Sequence, residues 1–163
     1  LLIMRTVSLS AAVMAIIGTA SIFGWLVAEA RIPGLLADWI KTFTQNPWIF
    51  LLIVNVLLLF IGMFMESLAA ILILVPVLMP MAIDFGINPI HFGLVVVMNF
   101  AMGMVTPPYG ITLFVASSVA GRSIIQVARR IFWPWAMMII VLLLVTYIPE
   151  IGLFLPGIFG MIR

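Results

Sequence analysis

Cysteine is absent from the 163 residues, histidine occurs once, at His91, and only 7% of the side chains are charged. The missing thiols exclude a disulfide framework, thiolate catalysis and cysteine-based metal binding, and a lone histidine excludes multi-histidine metal sites. An intramembrane hydrolase would need a nucleophile with its base, or a metal cluster. With no cysteine, no HExxH motif and one histidine placed near a membrane edge, that class is set aside. Soluble domains carry about a quarter charged residues. Here 66% of the chain is hydrophobic, so the solvent it is built for is a bilayer. The net charge of +2 comes from seven scattered Lys and Arg residues. They read as topology signals, and no nucleic-acid partner is expected.

What is present is a series of charge-free runs, over 6–28, 42–65, 67–83, 85–121 and 131–149, the second and third separated only by Glu66. A bilayer crossing needs about 20 apolar residues. The pattern predicts an all-α integral membrane protein. Its expected elements are a transmembrane helix over 6–28, an interfacial helix over 33–44, a helical hairpin over 48–83 with its tip at 62–67, a transmembrane helix over 90–120 broken at 103–108, and a transmembrane helix over 131–149. No soluble domain, low-complexity linker or internal repeat is visible. The first apolar run is too long for a secretory signal and lacks a small-residue cleavage pattern. With no initiator methionine, the chain reads as the later part of a longer membrane protein.

Arg5 precedes the first run, and Arg122, Arg129 and Arg130 lie between the fourth and fifth with no acid beside them. Those segments are expected to face the cytoplasm. Glu29, Arg31, Asp38, Lys41, Asp84, His91, Glu150 and Arg163 then fall on the opposite side. Residues 42–83 must leave and return on one side, either as two full crossings or as a re-entrant hairpin. The turn Gly62-Met63-Phe64-Met65-Glu66-Ser67 has one charge and no basic residue, a poor cytoplasmic loop but a workable buried tip. Gly62 lets the first arm end, and Ser67 is the expected cap of the second.

The sequence Gly103-Met104-Val105-Thr106-Pro107-Pro108-Tyr109-Gly110 must break a helix, because neither proline has an N–H and each disfavours helical geometry in its predecessor. Pro107 cannot donate to the Gly103 carbonyl, nor Pro108 to that of Met104, so two main-chain oxygens lose their helical partners. With the Thr106 hydroxyl they form a set of oxygens suited to a hard cation. Arms ending near Gly62 and Gly103 present negative dipole ends, and arms starting near Ser67 and Pro108 present positive ones. A cation and a carboxylate could be held side by side by backbone. The competing reading is a proline kink in a packed span, which is also the reading for Pro76 and Pro80. Glu66 belongs either in a cavity or at the tip, accepting backbone N–H groups. Asn55 and Asn99 read as helix-to-helix glue, and His91 as an interfacial side chain.

The run 62–74 with Pro76 and Pro80, then Gly86-Ile87-Asn88-Pro89-Ile90-His91-Phe92-Gly93, then Asn99 and Gly103 to Gly110, resembles the large permease subunit of tripartite ATP-independent periplasmic (TRAP) transporters, the DctM type. Phe23-Gly24-Trp25, Ile32-Pro33, Asn46-Pro47 and Val115-Ala116-Ser117 are similar too. The resemblance covers essentially the whole chain and corresponds to the C-terminal part of that subunit. It implies one half of an inverted-repeat, elevator-type transporter, similar to the ion transporter superfamily, in a bacterial or archaeal cytoplasmic membrane. It implies sodium as coupling ion with no other cofactor. A carboxylate substrate, such as a C4-dicarboxylate or sialic acid, would be delivered by a periplasmic substrate-binding protein. The further implied partners are a small Q-type membrane subunit, the N-terminal remainder of the same subunit and the lipid bilayer.

Matched position by position, the resemblance places Gly62, Gly103 and Thr106 at one sodium. With the freed Met104 carbonyl these are the residues expected at the ion, and the positive helix starts put Glu66, Ser67, Pro107 and Pro108 as those expected at the substrate. A second hairpin and broken helix would lie outside this sequence, so transport by this polypeptide alone is not expected. Other elevator-type sodium/anion symporters, and a structural subunit without its own ion site, are the alternative readings. The arginine cluster makes the orientation testable: a cysteine replacing Ser123 in the full-length protein is expected to react only with cytoplasmic thiol reagents, and labelling from outside intact cells would reverse the topology.

Overall fold

The computed structural model describes residues 2–160. Regular structure among them is entirely α-helical: α1 Leu2–Glu29, α2 Ile32–Phe43, α3 Pro47–Gly62, α4 Ser67–Asp84, α5 Pro89–Gly103, α6 Ile111–Ala120, α7 Ile124–Tyr147 and α8 Pro149–Ile158. Among the described residues, α4 and α7 are long and apolar enough to cross a bilayer by length and composition.

The same device starts α3 and α5. The Asn46 side chain accepts the Trp48 N–H at 2.9 Å with Pro47 in the first turn. Asn88 accepts the N–H groups of Ile90 and His91 at 2.9 and 3.4 Å with Pro89 behind it. An asparagine cap satisfies N–H groups that a helix start leaves open, and proline pre-sets the first helical φ. Both helices then run from one end of the bundle and stop at a glycine.

Helix α5 is central, packing on α3, α4, α7 and α8, while α1 and α2 lie against α4. The core uses one face of the hairpin and one of α5: Phe50, Val54 and Leu58 at four-residue spacing on α3, Ala70, Leu78 and Met81 on α4, and Phe92, Val96 and Phe100, again every fourth residue, on α5. Such spacing stacks side chains along one helical stripe. Phe50 stacks on Phe85 with centroids 4.5 Å apart and lies 6.4 Å from Phe92. The other face of α3 is also apolar and exposed, with Ile49, Leu52, Ile53, Val56, Leu57 and Phe60 uncovered. A helix apolar all round belongs in lipid or in the interior of a larger membrane protein.

Apart from Glu66 at the hairpin tip, two groups of charged side chains mark the ends of the bundle. Lys41 of α2 pairs with Asp84 at the end of α4 at 3.8 Å, at the end where α3 and α5 begin. Arg122, Arg129 and Arg130, clustered in the sequence, line one cavity of about 650 Å³ at the start of α7.

The helices and their caps depart from the sequence reading in four main places. Helix α7 begins at Ile124, seven residues before the charge-free run, because a Ser123–Gln126 capping box starts it and exposed arginines do not interrupt a helix. Helix α8 was not foreseen, although Pro149 in its first turn and Glu150 near its N-terminus are its signals. The second arm of the broken helix starts at Ile111, with Gly110 as its cap, and not at Pro108, because Leu113 and Phe114 send their N–H groups to the Gly110 carbonyl. Finally, Ser67 does not cap α4. The carboxylate of Glu66 does so, accepting from Leu68 and Ala69 N–H groups at 3.0 Å each. Arg163 lies outside the described residues.

Phe50 is fully buried between two aromatic rings. Phe50→Ala is expected to destabilise the full-length protein by about 3–5 kcal/mol, and Ile53→Ala, on the exposed face, far less. Thermal melting in detergent micelles checks the order; equal losses would place the core elsewhere.

Candidate ion and substrate site at the helix break

The C-terminal ends of α3 and α5 touch through their backbones. A Cβ added to Gly103 would sit 2.7 Å from Gly62 Cα, 2.8 Å from its carbonyl carbon and 3.1 Å from its oxygen. One added to Gly62 would meet Gly103 Cα at 3.2 Å and the Phe100 ring at 3.3 Å. Only a pair of glycines permits this approach, and it turns the Gly62 carbonyl toward Gly103.

Past Gly103 the chain tightens before it breaks. Val105 donates to the Met102 carbonyl and Thr106 to that of Gly103, both at 3.0 Å and both three residues back. Such shortened bonds satisfy carbonyls at a helix end. The Met104 carbonyl receives the Thr112 N–H at 3.1 Å from across the break. Gly110 makes room for this link. Its φ is +34°, and a Cβ there would lie 2.6 Å from the Met104 oxygen. The Pro107–Pro108 bond is cis. Thus the Gly103 and Met104 oxygens lose their helical partners as the prolines require, and each finds one replacement. A carbonyl oxygen has two lone pairs, so each keeps one open.

Thr106 is buried, donates its hydroxyl to the Met102 carbonyl at 2.7 Å and accepts the Trp135 indole N–H at 3.0 Å. One lone pair of the Thr106 oxygen remains. Ser67 Oγ, half-buried at the start of α4, donates to the Met104 sulfur at 2.9 Å and so ties the hairpin tip to the break. Phe64 of the tip lies 5.1 Å from the Tyr109 ring. The four residues expected at a cation therefore come together, although carbonyls expected to be free are partly engaged. Among the described residues no three His, Cys, Asp or Glu side chains cluster. A cation at the break would be held by carbonyls and a hydroxyl.

The residues expected at the substrate divide. Glu66 and Ser67 stand at the tip, and the Glu66 carboxylate is committed to capping α4. Pro107 and Pro108 face a cavity of about 630 Å³ toward α7, lined also by Ile124, Ile125, Ala128, Arg129 and Phe132.

Residues 2–151 match the sequence model of a family described as the tripartite ATP-independent periplasmic transporter, DctM component. The chain belongs to that family. It is 44% identical over 149 residues to a C4-dicarboxylate TRAP transporter large permease protein of Pseudomonas aeruginosa, covering 91% of this chain and 35% of that protein. It is 41% identical over 155 residues to the sialic acid TRAP transporter large permease protein of Vibrio cholerae, covering 95% and 36%. An isethionate TRAP transporter permease protein of Oleidesulfovibrio alaskensis is 44% identical over 148 residues, 91% of this chain and 23% of that one. The chain spans about a third of the length of the large permease proteins it matches.

This DctM-family chain also contains a polar cluster that the sequence signalled only in part. Asn99 donates to Asn55 Oδ1 and to the Val95 carbonyl, Asn55 donates to Thr146 Oγ1 at 3.2 Å, and the His91 ring meets the Thr146 carbonyl at 3.2 Å. All four side chains are buried. The asparagines join helices, as their type suggests in a membrane. His91, read as interfacial, is buried at the α5–α7 contact, because the first turn of α5 faces the end of α7. Thr146 and Trp135 went unnoticed: a threonine and a tryptophan in an apolar helix give no pattern of their own.

The glycine contact is asymmetric. Gly103→Ala places its Cβ on Gly62 backbone that cannot yield, whereas Gly62→Ala meets its contacts 0.5 Å farther out. Overpacking of this kind costs about 1–3 kcal/mol. Gly103→Ala is expected to lower the melting temperature of the full-length protein clearly more than Gly62→Ala; the reverse order would contradict the contact.

Proposed function

We propose that this chain is the hairpin-and-broken-helix part of a sodium-coupled secondary transporter that imports organic anions across the bacterial or archaeal cytoplasmic membrane. In this reading a periplasmic binding protein delivers the substrate. The N-terminal part of the same subunit supplies the opposite hairpin, and a small Q-type membrane subunit completes the assembly. Sodium is the coupling ion. The substrates named for the relatives, a C4-dicarboxylate, sialic acid and isethionate, share an anionic carboxylate or sulfonate head, so the substrate class is proposed as a small organic anion.

The observation that carries the reading is where the two interrupted helices end. Trp135 is the twelfth of the 24 residues of α7, and it bonds Thr106 of the break. At 1.5 Å per residue, α7 is about 36 Å long, enough to cross the roughly 30 Å hydrocarbon layer. Trp135 stands five residues, about 7.5 Å, past Arg130, which supports a break below the cytoplasmic surface of that layer. The Gly62–Gly103 contact holds the hairpin tip at the same depth. Helix α3, with 16 residues, is about 24 Å long and falls short of a full crossing, which favours a re-entrant hairpin over two spans. Non-helical backbone at that depth is tolerated where it is enclosed by protein or lines a cavity, the arrangement transporters use for ions and substrates.

At the tip, the C-terminal ends of α3 and α5 bring partial negative charge to the Gly62, Gly103 and Met104 carbonyls. A sodium ion would take these and the Thr106 hydroxyl. The substrate head would lie at the start of α6, which has no side-chain cap, and between Ser67 and Pro107–Pro108. At the α4 terminus, Glu66 already occupies the place an anion would take.

Thr106→Ala removes one oxygen from this set. It is expected to raise the sodium concentration for half-maximal uptake about tenfold if the contact is worth roughly 1.4 kcal/mol, with membrane insertion unchanged. The measurement is a sodium titration of labelled succinate and sialic acid uptake by the full-length reconstituted transporter. An unaltered sodium dependence in a well-inserted variant would leave Thr106 to Pro108 as a structural kink.

A further inference from the structure

We infer that Trp135 is a positioning residue of the ion site, its indole N–H fixing the Thr106 hydroxyl so that a lone pair is presented where the cation binds. The inference rests on the sodium reading proposed above and assigns part of that site to α7, outside the hairpin and the broken helix.

The bond directions are set by chemistry. An indole nitrogen only donates, so in the 3.0 Å contact Thr106 Oγ1 must accept. The hydroxyl hydrogen therefore cannot point at Trp135, and it goes to the Met102 carbonyl 2.7 Å away. That carbonyl also receives the Val105 N–H, so both of its lone pairs are used. It is not available as a ligand. The Thr106 oxygen spends its hydrogen on Met102 and one lone pair on Trp135, and one lone pair is left. A cation needs that lone pair and is repelled by a hydroxyl turned proton-first. A threonine hydroxyl without the indole could rotate among its staggered positions and would have to be ordered as the ion arrives; with the indole, the order is already present.

Trp135 lies on the inward face of α7. By helical spacing it shares that face with the buried Leu142 and Thr146, seven and eleven residues further on, and its only ring neighbour among the described residues is Phe132, at 6.2 Å. Because the indole is itself only half-buried, a smaller ring removes the donor with limited loss of packing. Because Trp135 sits at the middle of α7, the same bond ties the position of that helix to the ion site.

The test is sodium-dependent thermal stabilisation of the purified full-length subunit with its membrane partner, with sodium chloride replacing potassium chloride at constant ionic strength. A hydrogen bond of ordinary net strength corresponds to a change of about twofold to tenfold. Trp135→Phe is expected to raise the sodium concentration for half-maximal stabilisation by that factor, with the melting temperature in potassium chloride little changed. In a Thr106→Val background, which has no hydroxyl to orient, Trp135→Phe is expected to add nothing. Replacing Trp135 by benzothienylalanine, which keeps the bicyclic shape and lacks the N–H, is expected to match Trp135→Phe and serves if the smaller ring impairs folding. An unchanged sodium response in the N–H-deficient variants, or an effect that persists undiminished in Thr106→Val, overturns the inference and leaves Trp135 as packing. A wild-type protein that shows no preference for sodium over potassium overturns the sodium reading itself, and the inference with it.

Discussion

The approach of Gly62 to Gly103 is the contact on which the rest of the arrangement depends. Helices α3 and α5 begin with the same Asn-Pro device at one end of the bundle and contain 16 and 15 residues. Nearly equal lengths from a common start bring their C-terminal ends to one level, and the absence of two Cβ atoms lets those ends touch. Two negative helix ends forced together repel. That repulsion is tolerable where a cation, or hydrogen-bond donors, face it. The chain supplies donors from within and beyond the break, the N–H groups of Thr106 and Thr112, and the Ser67 hydroxyl closes the tip over Met104.

Above this contact, on the same seam, the buried polar cluster performs a different task. Asn99 stands one turn back from Gly103 on α5, and Asn55 two turns back from Gly62 on α3, and they bond one another before reaching Thr146 on α7. Apolar side chains in lipid gain little from each other by leaving lipid, so helix registry in a membrane falls to close packing and to bonds of this type. A slip of α3 along α5 by one residue would separate the asparagines and place a Cβ in the glycine gap. The two features therefore specify one register by independent means. Asn99 Oδ1 and His91 Nδ1 have no partner among the described residues, so the cluster joins helices without using its full bonding capacity.

Much of this was legible in the sequence because membranes make absences informative. A lack of charge over long runs marked the helices, the glycine-bounded turn marked the hairpin, and the paired prolines marked the break, each through a strict rule of backbone geometry. The missed features follow no such rule. Helix α7 starts among arginines because a capping box decides where a helix begins, and charge does not. Glu66 rather than Ser67 caps α4 because the longer carboxylate reaches two N–H groups at once. Trp135 and Thr146 act through contacts 29 and 91 residues away along the chain, a separation at which a single sequence carries no pairing signal. The replacement partners of the Gly103 and Met104 carbonyls were equally hidden, since they depend on how the chain turns after the prolines.

Those replacement partners bear on what kind of site the break can be. In a structural metal site the ion completes a fold that is unsatisfied without it. At this break the Met102 carbonyl is doubly bonded, those of Gly103 and Met104 are each bonded once, and the Thr106 hydroxyl is bonded twice. Buried backbone groups are thus paired before any cation arrives, which keeps the desolvation penalty small. A cation bound there would add contacts to open lone pairs on an already satisfied backbone, and its departure would strand none of them. A coupling ion must bind and leave in every cycle, and a break built this way permits both.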